Sequence, residues 1–130
     1  MKAIVIAEPW ISLILAGTKT WEMRGRPCRH RGPVALIRKG SGQVVGLADL
    51  ADSRPALTDG KLSDAFAFHQ VPHSQFFCRG RARWRCPWIL EKFVSLEPVS
   101  YSHPKGAVIW VNLDPAVADA ISSQLESMSR

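Results

Sequence analysis

Gly17-Thr18-Lys19-Thr20-Trp21-Glu22-Met23-Arg24-Gly25 sets an ammonium, a carboxylate and a guanidinium close together where a helix gives way to a strand. Glu8-Pro9-Trp10-Ile11-Ser12-Leu13-Ile14-Leu15-Ala16, just before it, reads as a short helix. Proline suits the first helical position, where its missing N–H would have had no partner. Gly17 suits the residue past the helix end, because a left-handed backbone costs glycine nothing. Lys19 then emerges at the corner where helix gives way to strand. From Thr20 to Arg24 the strand period of two sends Thr20, Glu22 and Arg24 to one face and Trp21 and Met23 to the other. Trp21 and Met23 are expected in the core, so Glu22 and Arg24 are expected to face together away from it, beside Lys19. Two readings of these charges stay open here. One is a solvated strand face with an incidental ion pair. The other is the mouth of a cleft that binds a polar ligand or moves a proton.

Outward from this stretch the chain reads as short strands. Lys2 to Ala7 is an apolar run bounded by Glu8-Pro9, a buried strand. Gly25 to Gly32 is a cationic loop. Pro33 to Arg38 is a strand stopped by the turn Lys39-Gly40-Ser41-Gly42. Val44 to Leu50 is another, and Gly46 inside it marks a bulge or a close backbone approach. Asp52 to Asp64 reads mostly as loop, and Asp64 to His69 as one or two helical turns ended before Pro72. Residues 74 to 87 are expected to form a mobile excursion. Trp88 to Val94 and Ala107 to Leu113 read as strands, the second following Gly106. Asp114-Pro115 starts the last helix, with Asp as cap and Pro at the first position. Val117, Ile121, Leu125 and Met128 form its apolar stripe, and its serine-rich second half is expected to fray. Five to six strands, two or three short helices and short loops imply a single domain over residues 1–130. The fold class is mainly β with flanking helices (α+β), a small closed or nearly closed barrel.

The chain has 130 residues and a net charge of +6, large enough to bury a core without staples. Its cations are segregated. Residues 19–39 hold seven Lys/Arg and one acid, residues 79–85 hold four arginines and no acid, and the remainder is net acidic. Segregated cation is the footprint expected for nucleic acid or nucleotide. Neither basic segment reads as an amphipathic helix, no apolar run approaches the roughly 18 residues of a membrane span, and the N-terminal run is too short for a secretory signal. Three irregularly spaced cysteines fit a reducing compartment. No membrane partner and a cytoplasmic location are therefore expected.

Gly-x-Lys-x-x-Glu-x-Arg after a Pro-Trp helix resembles the signature of the ASCH domain family, relatives of the PUA RNA-binding domains. The resemblance extends to Gly32-Pro33-Val34-Ala35-Leu36-Ile37 with Arg38-Lys39-Gly40, to Val45-Gly46-Leu47-Ala48-Asp49-Leu50, and to Trp88-Ile89-Leu90-Glu91 with Gly106 to Leu113. It implies a PUA-like β-barrel with a cleft at the Lys19 corner and a role in binding RNA or a nucleoside. Some small bacterial members of the superfamily are amidohydrolases that remove acyl groups from acylated cytidine. Their pattern has a lysine at the place of Lys19, a threonine three positions on, and a later glutamate. Here position 22 is glutamate, which implies the binding version of the cleft or a hydrolysis in which Glu22 acts as base.

As a binder Lys19 needs only its charge; as a catalyst it needs a pKa lowered by burial or by other cations. Arg24, with Arg38 and Lys39 on a neighbouring strand, supplies nearby positive charge, and Glu22 opposes the shift. Lys19 is therefore expected to stay protonated and to act as an electrostatic ligand. Trp10 and Trp88 read as core or as stacking faces, and Trp110 as core. Trp84, between Arg83 and Arg85, is the better stacking candidate: interleaved cations and an aromatic ring suit a single strand. Arg81, Arg83 and Arg85 are expected to contact its backbone. No cofactor or metal is expected. Pro72 breaks the helix that a zinc pair of His69 and His73 would need, and no Cys-x-x-Cys accompanies Cys28, His30 and Cys78.

The reading that results is a domain binding RNA or single-stranded nucleic acid, through a cleft of Lys19, Glu22, Arg24 and Lys39 and the arginine-rich loop. A hydrolase acting on a modified nucleoside or on RNA, with Lys19 and Glu22 catalytic, is the alternative. A small interaction module in a transcription or translation complex is the third.

Overall fold

Ala3–Ile6 and Val34–Ile37 are apolar at every position because both faces of their strands are covered. Ile4, Ile6, Val34 and Leu36 belong to one buried cluster, and Ala3, Val5, Ala35 and Ile37 to another. Continuous apolar runs mark strands buried on both sides. The computed structural model describes residues 1–77 and 83–129. In it β1 (Lys2–Ile6) is followed by α1 (Trp10–Leu15), β2 (Trp21–Arg24), β3 (Gly32–Arg38) and β4 (Gln43–Ser53). Then come α2 (Asp59–Asp64), α3 (Phe66–His69), a 3₁₀ turn (His73–Phe77), β5 (Cys86–Ser100), β6 (Trp110–Asn112) and α4 (Pro115–Met128).

The six strands form one mixed sheet in the order β2-β5-β4-β3-β1-β6, with β1 and β3 parallel. The sheet curls around the first cluster, which α1 closes with Trp10, Ile11 and Ile14. Its outer strands are joined by side chains: Trp88 of β5 stacks on Trp110 of β6 at 5.6 Å, and Arg24 of β2 bonds the Val5 carbonyl of β1. On the other face α4 covers the second cluster with Ile121. Gln124 locks this helix to β5 by donating to the Glu97 carbonyl and accepting from its N–H, both at 2.9 Å.

Several elements differ from the sequence reading. Asp59–Asp64 is helical where loop was expected, because the Thr58 hydroxyl caps it by accepting from the Lys61 N–H at 3.3 Å. β5 runs for 15 residues, absorbing three register shifts against β4 and a left-handed Lys92 at φ 54°. β6 has only three residues, pairing Trp110–Asn112 with Lys2–Ile4; beyond it the Ile109 carbonyl still accepts from the Val5 N–H at 3.0 Å, and Val108 is exposed. α4 continues to Met128 rather than fraying, although Leu125 and Met128 are exposed. Asp114 occupies its cap position without a side-chain bond.

Gly17 has φ 79° just beyond α1, as its position requires. Gly46 lies at a bulge where α1 presses on the sheet. A Cβ there would stand 2.6 Å from Leu15 Cδ2 and 3.0 Å from the Val94 carbonyl oxygen, and that backbone oxygen cannot swing aside. Gly46→Ala should therefore cost about 1–3 kcal/mol. Urea unfolding with a lowered midpoint and an unchanged slope would report it, and an unaltered midpoint would rule the close packing out.

Candidate nucleic-acid interface

The corner carrying Lys19 is pinned from three sides. The N–H groups of Thr18 and Lys19 both donate to the Leu13 carbonyl, closing α1, while Thr20 donates to the Phe68 carbonyl and accepts from the Leu90 N–H. The Lys19 side chain turns inward, is 0% exposed, and donates from Nζ to the His69 carbonyl at 2.6 Å. Nζ also lies 3.7 Å from Glu22 Oε1 and 5.1 Å from the centre of the Trp10 ring. The other carboxylate oxygen, Oε2, accepts from Arg24 Nη2 at 3.0 Å, and the same nitrogen donates to the Val5 carbonyl at 2.8 Å. The guanidinium lies over Trp88, 5.5 Å from the ring centre. Ammonium, carboxylate and guanidinium thus form one row.

Glu22 and Arg24 share a face, as the strand period requires, but that face is not solvated. It is the floor of a recess of about 640 Å³. Glu22 is buried and the Arg24 side chain is 14% exposed. Met23 is core, whereas Trp21 is only half-buried and stacks on Phe68 at 4.9 Å. Burial, opposed by Glu22 and aided by the Arg24 charge, brings the Lys19 pKa down to about 8, so at pH 7 the ammonium prevails by about ten to one. His69 braces the roof: Nδ1 accepts from the Val71 N–H at 2.9 Å, which leaves the proton on Nε2 to bond the Leu62 carbonyl at 2.7 Å. Burial, with Lys19 nearby, pushes the His69 pKa down and keeps that ring neutral. The segment so held brings Val71, Gln75 and Phe76 over the recess.

A profile of the ASCH domain matches residues 4–100. The chain belongs to the ASCH domain family. Its fold is similar to the crystal structure of ASCH from Zymomonas mobilis, with TM-score 0.70 and 14% identity over 94% of this chain and 93% of that one. Two single-substitution variants of the Zymomonas protein superpose with TM-scores of 0.68 and 0.67, at 16% and 15% identity. Each covers 94% of this chain, matching 96% and 94% of theirs. No curated relative matches by sequence. The sheet is a PUA-like half-barrel with short helices on it.

Not every cation anticipated around the recess of this ASCH domain is there. Lys39 lines it, as do Arg83 and Trp84, which is 36% exposed and stands over Gly25. Arg38, expected beside Lys19, instead pairs with Glu8 and bonds the Ser12 hydroxyl at 3.2 Å, because that carboxylate caps α1 next to it. Arg85 pairs with Asp59 of α2 and leaves the proposed track. Arg81 lies outside the described residues. Trp10 is buried beneath the recess, with its ring spent partly on Lys19. Arg26 lines the site and belongs to the cationic loop. His69 was not anticipated, since its role rests on backbone partners that no spacing advertises. Among the described residues no three His, Cys, Asp or Glu side chains come together as a metal site, and no helix is long and apolar enough to cross a membrane.

A second hollow of about 500 Å³ lies beside Trp21 and Phe68. Arg54 stands over Trp21 at 5.2 Å and pairs with Asp52 at 3.5 Å, and Asp64 lines the same hollow with Lys61. Its charges are balanced, so it lacks the cationic excess of the first.

Proposed function

We propose that this ASCH domain binds RNA or single-stranded nucleic acid in the recess floored by Lys19, Glu22 and Arg24. The family generally binds RNA or other nucleic acids. The observation that carries the reading here is the lip: Arg26, Lys39 and Arg83 stand around an enclosed polar floor, with the half-open ring of Trp84 beside them. Cations at the lip suit phosphates, an aromatic face suits an unstacked base, and a floor with both donor and acceptor suits a base edge. The three cysteines, with Cys28 and Cys86 as free thiols, suit the cytoplasm as the place of action. Residence in a transcription or translation complex is compatible with this binding.

Replacing Arg26, Lys39 and Arg83 together by alanine should lower affinity for a short single-stranded RNA about 10–100-fold. It should also flatten the dependence of log K on log salt by about 2, the loss of three phosphate contacts. Fluorescence anisotropy at several salt concentrations measures both. Unchanged affinity and slope would reject the lip as the binding surface.

Hydrolysis is the second reading, favoured by one observation: the Lys19 pKa of about 8 beside a carboxylate. Against it, Nζ is fully buried and held by the His69 carbonyl and Glu22, so it cannot attack a substrate without rearrangement. Incubation with acylated cytidine, comparing the chain with Lys19→Ala, tests it. A deacylated product formed only by the unsubstituted chain would establish the activity.

A further inference from the structure

We propose that the floor of the recess selects guanine over the other bases. The inference rests on the nucleic-acid reading above and names the base that this site takes. The floor presents, in order, Glu22 Oε1, Glu22 Oε2 and the Arg24 guanidinium, with the fully buried Lys19 Nζ behind Oε1. That sequence is acceptor, acceptor, donor. Guanine alone among the common bases offers a complementary edge: a carbonyl, then a ring N–H, then an amino group, the two N–H donors lying side by side as carboxylate oxygens do. Glu22 accepts both donors. Arg24 spends two of its N–H groups, from Nη2, on the Val5 carbonyl and on Glu22. It keeps others for the guanine carbonyl.

The other bases meet this floor badly. Adenine and cytosine carry a ring nitrogen lone pair next to the amino group, and that lone pair would face a carboxylate oxygen. Uracil carries a single N–H flanked by two carbonyls, so the second carboxylate oxygen would face a carbonyl. A buried acceptor set against an acceptor is penalised more heavily than a missing contact, which is how such floors discriminate. Lys19 touches no base, since it is fully buried. It is a positioning residue, whose charge and bond to the His69 carbonyl hold the Glu22 oxygens in the row. The volume of about 640 Å³ leaves room for a purine nucleotide with its phosphate at the lip.

Four labelled pentaribonucleotides test this, each uridine except at the centre, which is guanosine, adenosine, cytidine or uridine. Anisotropy titration should give the guanosine-centred strand about tenfold tighter binding than the rest. Inosine at the centre, which lacks the amino group, should lose most of that advantage, and 7-deazaguanosine, which keeps the whole edge, should retain it. These arms need no variant, so they stand even if Glu22→Gln fails to fold. If it folds, Glu22→Gln, which turns one acceptor into a donor, should abolish the preference for the guanosine strand, the lip being intact. Unlabelled GMP displacing the guanosine strand would identify the free nucleotide as sufficient, and displacement only by a guanosine oligonucleotide would assign the strand; either keeps the inference. Equal affinity for all four centres, or for guanosine and inosine, overturns guanine selection and leaves nucleic-acid binding standing. Absence of binding to any strand overturns both.

Discussion

Lys19→Ala should destabilise the fold by about 3 kcal/mol. Three effects set the sign. Removing three buried methylenes and the ammonium leaves a cavity, and truncations of comparable size cost about 2–5 kcal/mol. The His69 carbonyl loses the donor that reaches it at 2.6 Å, and Glu22 keeps only Arg24. Opposing both is relief from holding an ammonium out of water, which is real but cannot offset a cavity and an orphaned carbonyl together. Lys19→Met, which refills the space, should lose only about 1–2 kcal/mol, the share of the polar contacts. Urea unfolding of the two variants separates packing from charge. Because His69 braces Val71, amide exchange at Val71 should quicken in Lys19→Ala more than exchange in β3. A variant within 0.5 kcal/mol of the unsubstituted chain would show that Lys19 is not seated in the interior.

That seat is the part of the site least readable in the residues. The period of two correctly sets Glu22 and Arg24 on one face, but periodicity tells which residues share a face and not whether anything covers it. The cover comes from residues 71–76 and 83–84, about fifty positions away. The partner that draws Lys19 inward is a backbone carbonyl, which any residue at position 69 would supply. Strands β1 and β3 are legible because burial on both faces leaves unbroken apolar runs, and α1 because Gly17 ends it. Arg24 and Arg38 are chemically identical in the sequence. Only the folded neighbourhood, with Glu8 and Ser12 beside Arg38 and Glu22 beside Arg24, divides them between a helix start and the floor of the recess. The α2 helix, inside a stretch that reads mostly as loop, carries a capping Thr58 but also Gly60, whose low helical preference weakens the signal.

Raising the pH from 8 to 10.5 should stabilise the chain by about 3 kcal/mol through Lys19 alone. An unfolded lysine keeps its proton up to its ordinary pKa of 10.5, while the folded one gives it up at about 8. Between those values the unfolded state binds more protons, so stability rises with pH; below 8 both states are protonated and the contribution is flat. Cys86 and Tyr101 act the other way in the alkaline range, since burial raises both their pKa values. Comparison with Lys19→Met cancels them: the difference in unfolding free energy between the two chains should widen by about 3 kcal/mol from pH 8 to 10.5. A constant difference would mean that Lys19 titrates as it would in water. Ligand affinity should move oppositely. Neutralising Lys19 takes one positive charge from the floor and one support from Glu22, so binding of a single strand should weaken as the pH passes through 8, once the alkaline loss seen in Lys19→Met is subtracted. A fold that gains stability over the range in which its site loses affinity is holding a charge in its interior for the sake of what that charge does there. Parallel rises in both quantities would assign Lys19 to packing alone.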